Sequence, residues 1–317
     1  MKVNDLKFES ASHVIEEVRN MNVKGGSPFG RAAAWAYKLA CEQENLPNVE
    51  MLRSRVEEIN SALTELKPTM ATIHNTGSLV KKLLERERDL PLNQLKIKVI
   101  TLCERVIDES VLAVETLGKY GAELIPEDGT VLMHSYSSTL MSVFCNAATF
   151  GKHFQVISTE SRPLRESRLA VKYLQSFGVP VTYITDAEIW EFLPQADCVI
   201  MGADSIAWDG SVSNKIGTAM IAQLALSCKK PVYIASELYK LDVRTRWGYR
   251  IQLERRTKDE IVAQDEFESF EGINVINQFF DLTPAAHIAG IITEYGIVAP
   301  ATVSNYWEEL ENRLLQC

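Results

Sequence analysis

Asp204 follows directly on the apolar run Val199-Ile200-Met201 and the pair Gly202-Ala203. A carboxyl group in such a place can give and take protons. The apolar run reads as a buried parallel strand. A residue at the carboxyl end of that strand faces the crevice where open α/β sheets bind ligands. Downstream, the string Ser213-Asn214-Lys215-Ile216-Gly217-Thr218 reads as the start of a helix. That helix runs on through Met220, Ile221 and Leu224, with Ser213 or Asn214 as its cap. Lys215 then falls in the first turn, where a cation opposes the helix dipole unless an anion sits there to be neutralised. The spacing alone fits an exposed lysine on a solvated turn equally well.

Three more polar clusters follow apolar runs in the same half of the chain: His134-Ser135-Tyr136-Ser137-Ser138, Thr159-Glu160-Ser161-Arg162-Pro163 and Ser236-Glu237-Leu238-Tyr239-Lys240. Arg162 has the planar fork that suits a phosphate. Any one cluster could be a capping loop. Together, at equivalent strand ends, they read better as one binding site. Near the start of the chain, Lys24-Gly25-Gly26-Ser27-Pro28 precedes an alanine-rich apolar stretch. Ser27 suits an N-cap and Pro28 the first helical position. The glycines let the backbone approach a ligand closely, and Lys24 adds charge beside a helix start. Without other evidence, the same string is simply a turn between helices. Lys67-Pro68-Thr69 repeats the pairing of a cation with a proline break.

The elements that must position these residues change character along the chain. Residues 10 to about 120 carry helical periodicity. Segments are expected at His13 to Met21, after Pro28, at 49–65, at 77–87 and over a long amphipathic stretch from Leu92 to about Gly121. From Gly129 onward, short strand-like runs appear at 130–133, 154–158, 179–184, 198–201 and 232–235. Helical stretches at 138–149, 164–177 and 214–228 separate several of them. That alternation predicts an α/β fold, with a Rossmann-like parallel sheet covered by helices on both faces. The turn Pro126-Glu127-Asp128-Gly129 places the division between an N-terminal helical domain (1–125) and the α/β domain (126–317).

Composition narrows the function classes. The chain has 317 residues, 46% of them hydrophobic, enough for a substantial core. A net charge of -9 disfavours non-specific nucleic-acid binding, which needs a basic face, but leaves room for a small anion pocket. No membrane-length apolar run and no signal-peptide core are present, so a cytoplasmic protein is expected. Six cysteines and five histidines are scattered without metal-ligand spacing. The cysteines read as reduced and mostly buried, and no metal site is expected.

Gly202-Ala203-Asp204 followed by Asn214-Lys215-Ile216-Gly217-Thr218 resembles the signature of one family. That family unites methylthioribose-1-phosphate isomerase, archaeal ribose-1,5-bisphosphate isomerase and the regulatory subunits of eukaryotic initiation factor 2B. Thr159-Glu160-Ser161-Arg162-Pro163 looks like its Thr-Glu-x-Arg-Pro element, and Glu237 with Lys240 like its Glu-x-x-Lys. Lys24-Gly25-Gly26-Ser27 and Lys67-Pro68-Thr69 resemble its phosphate loop and its Arg-Pro-Thr element, each with Lys in place of Arg. Asp281-Leu282-Thr283-Pro284 and Ile292-Thr293-Glu294-Tyr295-Gly296 fit its closing elements. The resemblance therefore spans nearly the whole chain.

The resemblance implies a homodimer or homohexamer that binds a phosphorylated sugar or nucleotide without metal or organic cofactor. It implies Asp204 and Ser135 as the catalytic positions. Lys24, Gly25, Gly26, Ser27, Lys67, His134, Ser137, Arg162, Asn214, Lys215, Glu237 and Lys240 are its implied ligand contacts. The implied reaction converts an aldose 1-phosphate, of ribose-1,5-bisphosphate type, to the ketose phosphate. One position departs from the isomerases, which carry Cys where this chain has Ser135. Tyr136-Ser137 looks more like the initiation-factor alpha subunit, which lacks the Asp that is kept here as Asp204. The alternative expectation is therefore a non-catalytic sugar-phosphate sensor or scaffold subunit resembling that alpha subunit.

Overall fold

The computed structural model describes residues 6–316. Helices come first: α1 (Ala11–Arg19), α2 (Gly26–Gln43), α3 (Val49–Leu66), α4 (Ala71–Arg86) and α5 (Leu92–Leu124). At 33 residues, α5 is about 50 Å long. There follow β1 (Gly129–Met133), α6 (Ser138–Thr149), β2 (Phe154–Thr159), α7 (Ser167–Ser176), β3 (Val181–Ile184), a short α8 (Ile189–Phe192) and β4 (Cys198–Gly202). Next are β5 (Ser205–Ala207), β6 (Val212–Lys215), α9 (Thr218–Ser227), β7 (Val232–Ala235), β8 (Leu241–Asp242), β9 (Arg255–Arg256) and β10 (Asn277–Gln278). The chain closes with β11 (Phe280–Thr283), β12 (Gly290–Thr293), β13 (Gly296–Val298) and α10 (Trp307–Leu315).

The main sheet has the order β13-β12-β7-β4-β1-β2-β3. Neighbours are parallel except for the edge pair β12–β13. This is the α/β architecture that the alternating pattern predicts. Both faces are buried. Leu132 of β1 joins Val199 and Met201 of β4 in a core shared with the N-terminal helices. Val131, Met133, Cys198 and Ile200 point the other way, against Phe144 and Leu117. That period-2 division explains why the strands read as continuous apolar runs. The strand order reverses between β1 and β4. Connections leaving those two strands in opposite directions open a crevice at their carboxyl ends.

A second sheet, β11-β6-β5-β8, stands beside that crevice, and here the sequence reading needs correction. The residues from Ser205 to Lys215 form a hairpin, with β5 and β6 antiparallel. Ser213, Asn214 and Lys215 therefore lie on β6, paired with β11, and the helix begins only at Thr218. Neither Ser213 nor Asn214 caps it. Gly217 takes the left-handed conformation at φ 103°, which suits glycine, and Asp281 of β11 supplies the cap. The Gly217 and Ala219 N–H groups donate to Asp281 Oδ2 at 2.8 and 3.1 Å. Asp281→Ala is expected to cost about 0.5–2 kcal/mol, the scale of a lost cap. Urea unfolding measures it, and an unchanged midpoint would show that water caps α9 as well.

Smaller boundaries also move. In α2 the N-cap is Gly25 (φ 94°), not Ser27, so Pro28 falls at the third helical position. Its missing N–H is one of the donors a helix start leaves unpaired in any case. Helix α4 begins at Ala71, ahead of the expected 77. Helix α7 starts at Ser167 rather than Leu164. Cys41, Cys103, Cys145 and Cys198 are buried and in no disulfide, and Cys228 is half-buried; Cys317 lies outside the described residues. Among the described residues no helix is long and apolar enough to cross a membrane.

Candidate functional site

A cavity of about 610 Å³ opens at the carboxyl ends of β1 and β4. The start of α2, the loop before α7, β6 and the turn into β11 wall it in. Asp204, one residue beyond the Ala203 that ends β4's turn, faces this space. Burial pushes its carboxyl up to about 6, against the pull of the Lys240 and Lys215 ammonium groups. The carboxylates of Glu166 and Glu254 push the same way as burial. Asp204 can therefore hold or release a proton near neutrality, as acid–base work requires.

Lys240 is buried, and its Nζ donates to Ala203 O at 2.8 Å, next to Asp204. Burial lowers its pKa, opposed by Glu237 and Asp204. Gly26 lies against this pair. A Cβ there would come within 3.0 Å of Lys240 Cε and 3.1 Å of the Asp204 carbonyl oxygen. Glycine thus lets the positive end of α2 meet the Asp204 turn, and the exposed Lys24 stands beside that helix start. Gly25 lines the same wall.

On the β1 side, Ser135 reaches the cavity in the left-handed region at φ 65°. Its N–H donates to Ser161 Oγ at 2.7 Å, and Ser161 Oγ bonds Ser167 Oγ at 2.7 Å. Ser161 (φ 59°) and Arg165 (φ 58°) share that rare conformation. Strained non-glycine residues gathered at one spot mark a place where conformation is held for a purpose. Ser137 caps α6, and its hydroxyl bonds Thr139 Oγ1 at 2.7 Å. Gly202 makes room for it, since a Cβ at that position would lie 2.5 Å from Ser137 Cβ.

The remaining cavity cations mostly have acid partners. Lys215 Nζ donates to Glu166 Oε1 at 2.9 Å and lies 3.4 Å from the centre of the Phe279 ring. Lys67 Nζ is 3.5 Å from Glu254 Oε1. Burial lowers the pKa of both lysines, with Glu166 and Glu254 opposing. Arg165 pairs with Glu160 at 3.1 Å, and Arg256 with Glu260 at 2.5 Å. Among the described residues no carboxylate pairs with Lys24 or Arg168. Asn214 lines the wall and donates through Nδ2 to Thr218 Oγ1 at 2.9 Å.

Four of the expected contacts lie elsewhere. His134 is buried behind the cavity, its Nε2 2.8 Å from Ile216 O and its Nδ1 2.6 Å from Thr159 Oγ1. Burial lowers its pKa, so the neutral ring donates from Nε2 and accepts at Nδ1, tying β1 and β2 to the turn before α9. Arg162 is exposed, and its guanidinium is spent on the carbonyls of Pro163 and Ile261. Arg165 and Arg168 line the cavity instead. Glu237 is buried against α5, where Ser110 donates to its Oε2 at 2.7 Å and accepts from Arg31 Nη1 at 3.0 Å. Ser27 is buried, with a hydroxyl that bonds nothing.

Sequence reasoning passed over Glu166, Arg168, Glu254, Arg256 and Phe279, all of which line the cavity. Asp209-Gly210 between Ile206 and Val212 is a hairpin signal that could have corrected the β5–β6 reading. No comparable signal marks 254, 256 and 279, which reach the site only through long-range packing.

The sequence pattern described as the initiation factor 2 subunit family matches residues 22–300. Ribose 1,5-bisphosphate isomerase of Thermococcus kodakarensis is 35% identical over 291 residues, covering 90% of each chain. Methylthioribose-1-phosphate isomerase of Geobacter sulfurreducens is 33% identical, covering 92% of this chain and 88% of that one. Among solved structures, the translation initiation factor eIF-2B of Pyrococcus horikoshii superposes with a TM-score of 0.79 at 27% identity. The match covers 92% of this chain and 97% of that one. With the sheet order, the Asp204 crevice and these matches in agreement, the chain belongs to the initiation factor 2 subunit family.

Proposed function

We propose that this protein isomerises an aldose phosphorylated on its anomeric carbon to the matching ketose phosphate. The observation that carries this reading is Asp204, a carboxyl group raised to about 6 at a strand end, facing a cavity rich in cations. Relatives whose names state sugar-phosphate isomerisation support the reaction class. Phosphate would rest on Lys24, the Gly25-Gly26 backbone and Arg168, where positive charge lacks a carboxylate partner. Lys215, Lys67 and Lys240 surround the sugar.

The anomeric oxygen is esterified, so the ring opens only if its oxygen is protonated. Protonated Asp204 gives that proton as the bond from the ring oxygen to C1 breaks. Hydrogen then moves from C2 to the cationic C1 with its electron pair, and the C2 hydroxyl yields its proton as the ketone forms. The Asp204 carboxylate is the group that takes it, which restores the starting state. Ser135 holds a hydroxyl beside this path; a hydroxyl is a far weaker acid than the thiol of a cysteine, so Ser135 relays a proton rather than supplying one.

The second reading, a sugar-phosphate sensor, rests on Ser135 standing where the resembled isomerases carry Cys. One experiment addresses both. The protein is mixed with ribose 1-phosphate and ribose 1,5-bisphosphate, and a C2 carbonyl is sought by ¹³C NMR. Ketose formation is expected; binding by thermal shift without a carbonyl signal would favour the sensor. Assembly belongs to the same proposal. Met220 and Leu226 of α9 are about half exposed and free to join a second copy, whereas Trp307, Leu310 and Leu314 of α10 are already buried within the chain.

A further inference from the structure

Glu166 shares with Asp204 and Glu254 a cavity whose charged lining is mainly cationic. Its Oε1 accepts from Lys215 Nζ at 2.9 Å. Its Oε2 is buried and bonds nothing. Lys215 is nearly inaccessible and wedged against Phe279, and the Arg256 guanidinium covers that ring at 4.5 Å. The ammonium therefore cannot swing away to meet a ligand without leaving both partners. A phosphate brought to Lys215 would have to lie beside the Glu166 carboxylate, where like charges repel in a poorly hydrated space. A sugar hydroxyl meets no such obstacle. It can donate once the partly exposed Glu166 side chain turns its unpaired Oε2 toward the cavity, and an unpaired buried acceptor is costly until a donor arrives.

We propose that Glu166 determines specificity: it withholds Lys215 from phosphate and accepts a hydrogen bond from a hydroxyl of a sugar carrying a single phosphate. This rests on the sugar-phosphate reading above and narrows its substrate class. The phosphate of such a ligand uses Lys24, the α2 start and Arg168, where no carboxylate competes. A second phosphate would find Lys215 paired by Glu166, Lys67 by Glu254, Arg165 by Glu160 and Arg256 by Glu260, with Lys240 buried and bonded to Ala203 O.

The test compares two ligands that differ in one phosphate. Wild type, Glu166→Gln and Glu166→Ala are titrated calorimetrically with ribose 1-phosphate and with ribose 1,5-bisphosphate. Wild type is expected to prefer the monophosphate. Glu166→Gln keeps the shape and removes the charge, and should shift the affinity ratio toward the bisphosphate by roughly tenfold or more, the scale of one interaction with a charged group. Glu166→Ala should shift it the same way and also weaken the monophosphate, through the lost acceptor. A wild-type preference for the bisphosphate overturns the proposal even if neither variant folds. So does an unchanged ratio in both variants. If wild type binds neither sugar, the sugar-phosphate reading itself falls, a different outcome from good binding with an unmoved ratio.

Discussion

Asp204→Asn is expected to lower turnover by at least roughly 10²-fold, the lower scale for a positioned acid–base group. Affinity for the sugar phosphate should change little, because the amide keeps the shape and much of the hydrogen bonding. The wild-type kcat/KM profile should break near pH 6, where the Asp204 carboxyl titrates, and the variant should lose that break. Stability should move the other way. The folded pKa lies above the ordinary carboxylate value, so the folded state binds more protons than the unfolded one between about 4 and 6. Stability therefore falls as pH rises through that window, and the loss persists above it. The asparagine variant escapes the loss and should be more stable at pH 7 by on the order of 1–3 kcal/mol, discounted for the cavity's access to water. Ser135→Cys should leave turnover intact or raise it, since the resembled isomerases place a thiol there. A folded Asp204→Asn protein with undiminished turnover would remove Asp204 from the chemistry.

The layout behind this prediction was largely legible in the chain. The parallel strands could be read because burial on both faces makes them uninterrupted apolar runs, and Asp204 follows the most apolar of them. Ser135, Ser137, Gly25, Gly26, Lys67 and Lys240 come together in one cavity because they lie in the segments just after a strand or at a helix boundary on the same edge, and Asn214 and Lys215 join them from β6. Ser213 to Lys215 were misread as a helix start because Asn-Lys-Ile-Gly-Thr carries capping residues before an apolar stretch. The hairpin wins because Asp209-Gly210 folds β6 back on β5, and Asp204 N–H then donates to Ser213 O at 2.9 Å. Arg162 and Glu237 were misplaced for a different reason. A local string shows that a charge is present, but not which side of the loop it leaves from. His134 shows the same limit, since a histidine clamped between Thr159 and Ile216 looks, in sequence, like one offered to a ligand.

Lys240→Met should produce the largest loss of stability among single changes at this site. The methionine keeps most of the apolar stem, so the change isolates the ammonium group. That ammonium sits in a fully buried position between two carboxyl groups, Glu237 and Asp204, and both act to keep it charged. Removing it takes a positive charge from beside two buried carboxyl groups, and the cost of a broken buried pair, about 3–5 kcal/mol, is the upper bound for that change. Ser110 still donates to Glu237 Oε2, so the cost should fall toward the lower end of that range. Urea unfolding at pH 7 measures the loss. The activity profile gives an independent reading, because Lys240 is the largest influence holding the Asp204 carboxyl down against burial. Without it, the break in kcat/KM should move above 6. A stable variant with an unmoved break would mean that Lys240 is neutral in the folded protein and does not set the proton affinity of Asp204.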